Sequence, residues 1–290
     1  MEWRGHLARV LVTGARRGIG REIALILARA GHTVIATMRN TDRCDLTEIA
    51  GSEKLSIIVA SLDVDDDGSV SDVFAKFAAD AEPIDVLINN AGILSINAIE
   101  DETIADMQAI MNTNFFGAVR CMKAVVPAMR ARGSGLIINI SSIAGRMTPF
   151  GQGAYCASKY ALEAASEALA QELAPFGVRV ALVEPGIIAT DMAVGNLPSP
   201  RVDSAYPHGK RMVAFYADTG VSGPPPSVVA ETVGNIVNGR ITAFRTLCGP
   251  DATSFLALRN SMTDEAWIAM SDTLDDGVFF ERFGAAGSVA

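Results

Sequence analysis

Tyr155 and Lys159 stand four residues apart in the run Tyr155-Cys156-Ala157-Ser158-Lys159. On a helix that spacing puts both side chains on one face, roughly 5–6 Å apart at Cβ. A tyrosine with its ordinary pKa near ~10 is a poor acid or base at neutral pH. A lysine ammonium about 4 Å away, at an effective dielectric of ~20, favours the phenolate by on the order of 4 kcal/mol. That is roughly three pKa units, enough to make the phenol a proton donor or acceptor near pH 7. Two unrelated residues sharing a helix show the same spacing, so the surrounding elements must decide.

Those elements begin with a short apolar strand over residues 8–13. Gly14-Ala15-Arg16-Arg17-Gly18-Ile19-Gly20 follows at once, then a helical pattern through Ala30. Strand, glycine turn and helix form the context of a nucleotide phosphate site. The glycines admit the backbone to a pyrophosphate, and the helix N-terminus offers free N–H groups to the anion. The second strand, residues 33–38, ends at Arg39, where an acidic residue would hold the ribose of NAD. Arg17 lies inside the glycine turn, and Asp42 and Asp45 come too late for the acidic role. Two guanidinium groups suit a 2′-phosphate; the alternative is a pair of solvated surface arginines.

Further strands are expected at 55–62, 84–89, 135–140, 178–183 and 243–247. They run into Asp63-Val64, Asn90-Ala91-Gly92, Ser141-Ser142 and, after residue 183, Glu184-Pro185-Gly186. Helices are expected from Asp65-Asp66-Asp67 to about residue 81, over 102–132 with Asn114 in the middle, from Tyr155's turn to about 174, and over 227–238 as the last helix. Residues 187–226 read as a long irregular loop interrupted by Pro198, Pro200, Pro207 and Pro224-Pro225-Pro226. They carry Met192, Tyr206, Met212, Phe215 and Tyr216, an apolar set suited to cover a ligand. Residues 262–290 form an acidic tail that docks or frays. Alternating strands and helices with continuously apolar strands indicate an α/β fold: a doubly wound parallel sheet flanked by helices, in one domain spanning 1–290. In such a sheet ligands bind at the carboxyl ends of the strands. Gly14–Gly20, Arg39, Asp63, Asn90, Ser142 and Gly186 all fall just there.

The 290 residues are 49% hydrophobic and 20% charged, a globular composition. A net charge of −9 argues against a nucleic-acid partner. Cys44, Cys121, Cys156 and Cys248 are scattered without metal spacing, and His6, His32 and His208 have no ligand-like neighbours, so no metal is expected. No apolar run reaches the ~18 residues of a bilayer span, and residues 1–6 lack a signal core. The expectation is a soluble cytoplasmic protein with no membrane partner.

Taken together, Thr13-Gly14-xxx-Gly18-x-Gly20, Asn89-Asn90-Ala91-Gly92, Asn114, Ser142, Tyr155-xxx-Lys159 and Pro185-Gly186-xxx-Thr190 resemble the short-chain dehydrogenase/reductase family in order and spacing. The likeness runs from about residue 7 to 192 and more loosely to 250. Residues 36–39 and the loop after Gly186 look like the steroid- and retinol-dehydrogenase-like branch. The resemblance implies an oxidoreductase interconverting an alcohol and a ketone or aldehyde with NADP(H), NAD(H) being the alternative cofactor. It makes Tyr155 the general acid/base and gives Lys159 the tasks of lowering its pKa and bonding the nicotinamide ribose. Ser142, preferred by spacing over Ser141, would hold the substrate oxygen, and Asn114 would anchor a water linking Lys159 to solvent. Cofactor contacts would come from Gly14, Arg17, Gly18, Ile19, Gly20, Arg39, Asp63, Val64, Asn90, Ala91, Gly92, Pro185, Gly186, Ile188 and Thr190, with Tyr155 and Lys159. The family also implies a homo-oligomer, and the long loop a bulky apolar substrate. The competing expectation is a redox-sensing protein that keeps the fold and the cofactor but not the catalysis.

Overall fold

Valine, isoleucine and leucine fill the strands without polar alternation because both faces of the sheet are covered. The computed structural model describes residues 7–42, 44–78, 83–192 and 199–287. Its strands are β1 (Arg9–Val12), β2 (Thr33–Met38), β3 (Ile57–Ser61), β4 (Val86–Asn89), β5 (Gly135–Ile140), β6 (Val178–Pro185) and β7 (Arg245–Cys248). They form one seven-stranded sheet in the order β3-β2-β1-β4-β5-β6-β7, with every pairing parallel. The expected α/β single-domain architecture is the one observed. The order reverses between β1 and β4, and their diverging connections open a crevice at the strands' carboxyl ends.

The helices are α1 (Gly18–Arg29), α2 (Leu46–Glu53), α3 (Asp67–Ala78), α4 (Ile104–Met111), α5 (Gly117–Arg132), α6 (Gly153–Leu173), α7 (His208–Ser222), α8 (Ser227–Val237), α9 (Pro250–Ser261), α10 (Asp264–Ala269) and α11 (Asp276–Gly287). Successive strand residues point to opposite faces. Val10 and Val12 therefore pack with Ile23 and Leu27 of α1 and Val229 and Val233 of α8. Leu11 and Leu87 pack on the other face with Phe74 of α3, Val125 of α5 and Leu162 of α6. No helix among the described residues is long and apolar enough to cross a membrane.

Several expectations need correction. The helix expected over 102–132 is α4 and α5 joined by a π-helical turn, Asn112–Phe116. It begins at Ile104, where the Thr103 hydroxyl accepts from the Asp106 N–H. Gly117 allows that turn to approach the sheet edge: a Cβ there would lie 2.8 Å from a Val64 methyl. The segment 187–226 is not irregular throughout, because α7 occupies residues 208–222 between its flanking prolines. Proline is tolerated just outside a helix, so proline density at the two ends says nothing about the interval between them. Nor is α8 the last helix; α9, α10 and α11 follow, and α2 was unforeseen. The expectations for residues 1–6, for the helix end at 79–82, for Pro198 and for 288–290 lie outside the described residues.

The acidic tail docks. Arg211 of α7, 1% exposed, donates from Nε to Asp276 Oδ1 at 2.7 Å and from Nη2 to the Thr273 carbonyl at 2.9 Å. Its guanidinium also lies 4.3 Å from the centroid of the buried Phe279 ring. Phe150 meets Phe279 and Phe283 edge to face, at 4.8 Å and 5.4 Å, and those two rings stack on one another at 6.1 Å. The Trp267 indole of α10 donates to the Thr148 carbonyl at 3.2 Å. Arg211→Ala removes the ion pair, two hydrogen bonds and the ring contact, a loss of about 2–3 kcal/mol. Hydrogen–deuterium exchange should then rise in residues 264–287 while the β1, β4 and β5 amides stay protected; unchanged exchange in that segment would contradict the tie.

Candidate active site

The glycine turn is built around β1's last neighbour, Thr13. Its hydroxyl accepts from the Asn90 and Ala91 N–H groups, both at 3.0 Å, so the ends of β1 and β4 are stitched together. The Asn90 side-chain amide donates to the Thr13 carbonyl at 3.0 Å and to the Gly14 carbonyl at 3.2 Å. Gly14 has φ +68° and Gly18 φ +57°, conformations that favour glycine. Gly20 is needed for space: a Cβ there would lie 2.5 Å from the Gly14 carbonyl oxygen and against the Asn90 amide. Arg17 is extended at the start of α1 and no side chain caps the helix; no acidic residue sits in its first turn. The N–H groups of that turn stay available to an anion.

This turn forms one wall of a cleft of about 530 Å³ at the strands' carboxyl ends. Gly14, Arg17, Gly18, Ile19, Arg39, Asp63, Val64, Asn90, Ala91, Gly92, Ser142, Tyr155, Lys159, Pro185, Gly186, Ile188 and Thr190 all line it. Of the expected site residues, Gly20 and Asn114 do not; both act from behind the wall. Arg39 stands exposed on the rim beside Arg16 and Asn40, and Arg17 Nη1 reaches Asp191 at 3.1 Å. Asp45 is taken up by Arg21 Nη2 at 2.6 Å. Asp63 accepts from the Asp65 N–H at 3.1 Å, which turns the chain toward α3.

At the cleft's centre, α6 carries Tyr155 and Lys159 on one face, and β5 ends in Ser141-Ser142. Ser142's hydroxyl donates to the Pro185 carbonyl at 3.4 Å and accepts from the Ala144 N–H at 3.1 Å. Ser141 is also on the cleft wall but is 3% exposed and turned toward the interior beside Gly145. Lys159, 5% exposed, donates to the Ile140 carbonyl at 2.9 Å, and its nitrogen lies 5.7 Å from the centroid of the Tyr155 ring. Asn114 holds the Ile93 backbone from both sides: its Oδ1 accepts from Ile93 N–H at 2.8 Å, and its Nδ2 donates to Ile93 C=O at 2.9 Å. The same Nδ2 donates to Ser158 Oγ at 3.0 Å, and Ser158 donates to the Tyr155 carbonyl at 2.7 Å. The π turn is thereby coupled to the Tyr155 helix.

The electrostatics correct one expectation. Burial raises the Tyr155 phenol above its ordinary value, the nearby Tyr216 phenol adds to this, and the Ser142 hydroxyl pulls the other way. Burial also draws Lys159 down to about 8, opposed by the Glu163 carboxylate. The expected large drop in the tyrosine's pKa is not found. Lys159 is bonded to Ile140, its own charge is desolvated, and desolvation of the phenolate dominates.

The other end of the cleft is apolar. Met192, Met212, Phe215 and Tyr216 line it as expected, joined by Phe150, Phe255 and Phe283. Tyr206 does not; its hydroxyl bonds Glu100 on the surface. Phe255 and Phe283, from α9 and α11, were missed because their helices were; the spacing of Phe279 and Phe283, one helical turn, was the available signal. Gln152 was also missed. It is 2% exposed and donates to the Tyr216 hydroxyl at 3.0 Å. Asp251 is a further unforeseen support: its Oδ2 accepts from Ile187 N–H at 2.7 Å and fills the space beside Gly186 that a Cβ would need.

Residues 8–199 match the family model for the short chain dehydrogenase. The chain belongs to the short-chain dehydrogenase/reductase family. Over 269 residues, 90% of this chain and 96% of the relative, it is 34% identical to the oxidoreductase BOA17 of Botryotinia fuckeliana. It is 41% identical to human retinol dehydrogenase 8 over 187 residues, 63% of this chain and 59% of that protein, so the likeness to retinol-dehydrogenase-like members holds. The closed form of a serine dehydrogenase complexed with NADP+ superposes with a TM-score of 0.71 at 29% identity, covering 83% of this chain and 94% of that one. The chain is therefore an oxidoreductase of that family.

Asn114→Ala would leave both polar groups of Ile93 and the Ser158 hydroxyl without their partner. We expect a loss of about 3 kcal/mol, read as a lower urea midpoint, together with reduced turnover. A variant of wild-type stability would show that the π turn does not depend on this side chain.

Proposed function

We propose that the protein is an NADP(H)-dependent oxidoreductase that interconverts a bulky, apolar alcohol and its ketone or aldehyde. One observation carries this reading: Tyr155, Ser142 and Lys159 converge where the glycine-walled half of the cleft meets its aromatic half. The residues present fit a dinucleotide. Positive-φ glycines and an uncapped α1 N-terminus suit the pyrophosphate. When bound there, the nicotinamide supplies or accepts the hydride.

The rest of the chemistry belongs to the chain's own side chains. Ser142 orients the substrate oxygen toward the phenol of Tyr155. Tyr155, kept protonated by burial, donates its proton to that oxygen as a carbonyl is reduced, and takes one back in the reverse direction. Lys159, within reach of the same helical face, offers its ammonium to the ribose and to the phenolate left after proton transfer. Asn114 holds the π turn against α6 and so fixes where these groups sit. The Pro185–Thr190 segment, supported by Asp251, would hold the carboxamide end. Met212, Phe215, Tyr216 and Phe283 exclude water from an apolar substrate.

The cofactor preference rests on charge at the rim. Arg39 and Arg17 supply cations where NAD would require a carboxylate, and Asp45 is engaged by Arg21. A homo-oligomer is supported by the outward apolar residues Ile104 and Phe116 on α4 and the π turn, with Tyr160 on α6.

Tyr155→Phe should lower turnover by about 10² or more with cofactor affinity nearly intact, because only the proton donor is removed. Unchanged turnover, measured with a panel of ketones, steroids and aldehydes, would rule out the assignment. Cofactor binding with no turnover of any panel member would favour the redox-sensor alternative. Arg39→Asp should weaken NADPH far more than NADH in fluorescence titrations, whereas equal losses would refute the 2′-phosphate reading.

A further inference from the structure

Tyr155, Lys159, Glu163 and Glu167 recur every four residues and make one stripe along α6. The first two face the cleft. The next two run back along the sheet to β7. There Arg245 donates from Nε to Glu163 Oε2 at 3.0 Å and from Nη2 to Glu167 Oε2 at 2.6 Å. Glu163 is 4% exposed, and its Oε1 has no hydrogen-bond partner in the described structure. Its stem lies against Gly145, where a Cβ would fall 2.9 Å from Glu163 Cγ and 3.3 Å from the Lys159 carbonyl carbon. The absent Cβ makes room for a carboxylate directly behind the Ser141-Ser142 turn.

A carboxylate this deeply buried is costly unless its charge is balanced. β6 brings a second one, Glu184, 1% exposed, with Oε1 3.4 Å from Arg245 Nε and 3.3 Å from Arg146 Nη1. Among the described residues, the ion pairs of Glu163, Glu167 and Glu184 are with Arg245 and Arg146. Lys159 is the next cation along the stripe, and no ion pair engages it among the described residues. Its hydrogen bond goes to a neutral carbonyl, that of Ile140. Tyr155 and Glu163 flank it on its own helix, while Glu184 on β6, Arg245 on β7 and Arg146 beyond β5 form the charged group around Glu163.

We propose that Glu163, clamped by Arg245, is a positioning residue that supplies the counter-charge for Lys159 from behind the catalytic turn. The carboxylate favours the ammonium at a site that burial otherwise makes hostile to it, in keeping with its opposing influence on Lys159. Removing it makes the proton leave Lys159 at lower pH. The inference rests on the role given to Lys159 above, but its test does not require turnover.

The measurement is an NMR titration of the lysine side-chain signals in the cofactor-free protein, with Lys159 identified by the signal lost in Lys159→Met. In Glu163→Gln the Lys159 midpoint should fall by about one pH unit or more. In Glu167→Gln, whose carboxylate is half exposed, it should stay near the wild-type value. Glu163→Asp keeps the charge but draws it back by one methylene, and should give about half of that fall. A Glu163→Gln midpoint equal to wild type overturns the proposal. If Glu163→Gln does not fold, Glu163→Asp still gives a smaller downward shift, and its absence overturns the proposal equally. The alkaline fall of carbonyl reduction should move with the midpoint. A moved midpoint in a protein that turns over no carbonyl would uphold Glu163's role and reject the oxidoreductase reading instead.

Discussion

A buried ammonium with a neutral acceptor sets the terms for the rest of the site. Lys159 lies under the end of β5 and donates to the Ile140 carbonyl. That bond fixes where α6 meets the sheet, and with it the position of Tyr155 one turn earlier. The Ser158 hydroxyl, between them on the helix, binds the Tyr155 carbonyl and receives the Asn114 amide. Three backbone elements, the end of β5, the π turn and α6, are thus fastened within a few residues of the Tyr155 phenol. On the proposed reading, placement of this kind is what makes a single proton donor effective.

The sheet supplies the second half of the arrangement. Because β1 and β4 are neighbours whose following segments diverge, Thr13 and Asn90 can close the crevice floor with hydrogen bonds while leaving the space above it open. Glycine has different reasons at different positions in that floor. At Gly14 and Gly18 it answers a backbone angle, and at Gly20 it answers the carbonyl of Gly14 pressed against it. A substitution at any of them disturbs the same wall by different physics.

Much of this was legible in the sequence, and the reasons are local. A four-residue spacing on a helix, a glycine turn after an apolar strand, and polar residues just past strand ends each express short-range geometry. What stayed hidden depends on contacts across the fold. The π turn at Asn114 needs Ile93 as partner, 21 residues away. The buried Arg211 reads as an ordinary surface arginine until Asp276 and Phe279 arrive from the last helix. α7 was masked by the prolines on either side of it. The direction of Tyr155's shift was misread because a pairwise charge argument omits desolvation, which only the packed structure reveals.

The aromatic wall has its own origin in the chain. Tyr155, Lys159 and the glycine turn all precede residue 192, whereas Phe215, Phe255 and Phe283 come from helices that follow it. The docking of α11 through Arg211 joins those later helices to one another as well as to the cleft. Phe150 apart, the glycine wall and the aromatic wall thus come from successive stretches of one polypeptide. On the proposed reading, drift in the final third can reshape the aromatic wall while Tyr155, Lys159 and the glycine turn are inherited intact.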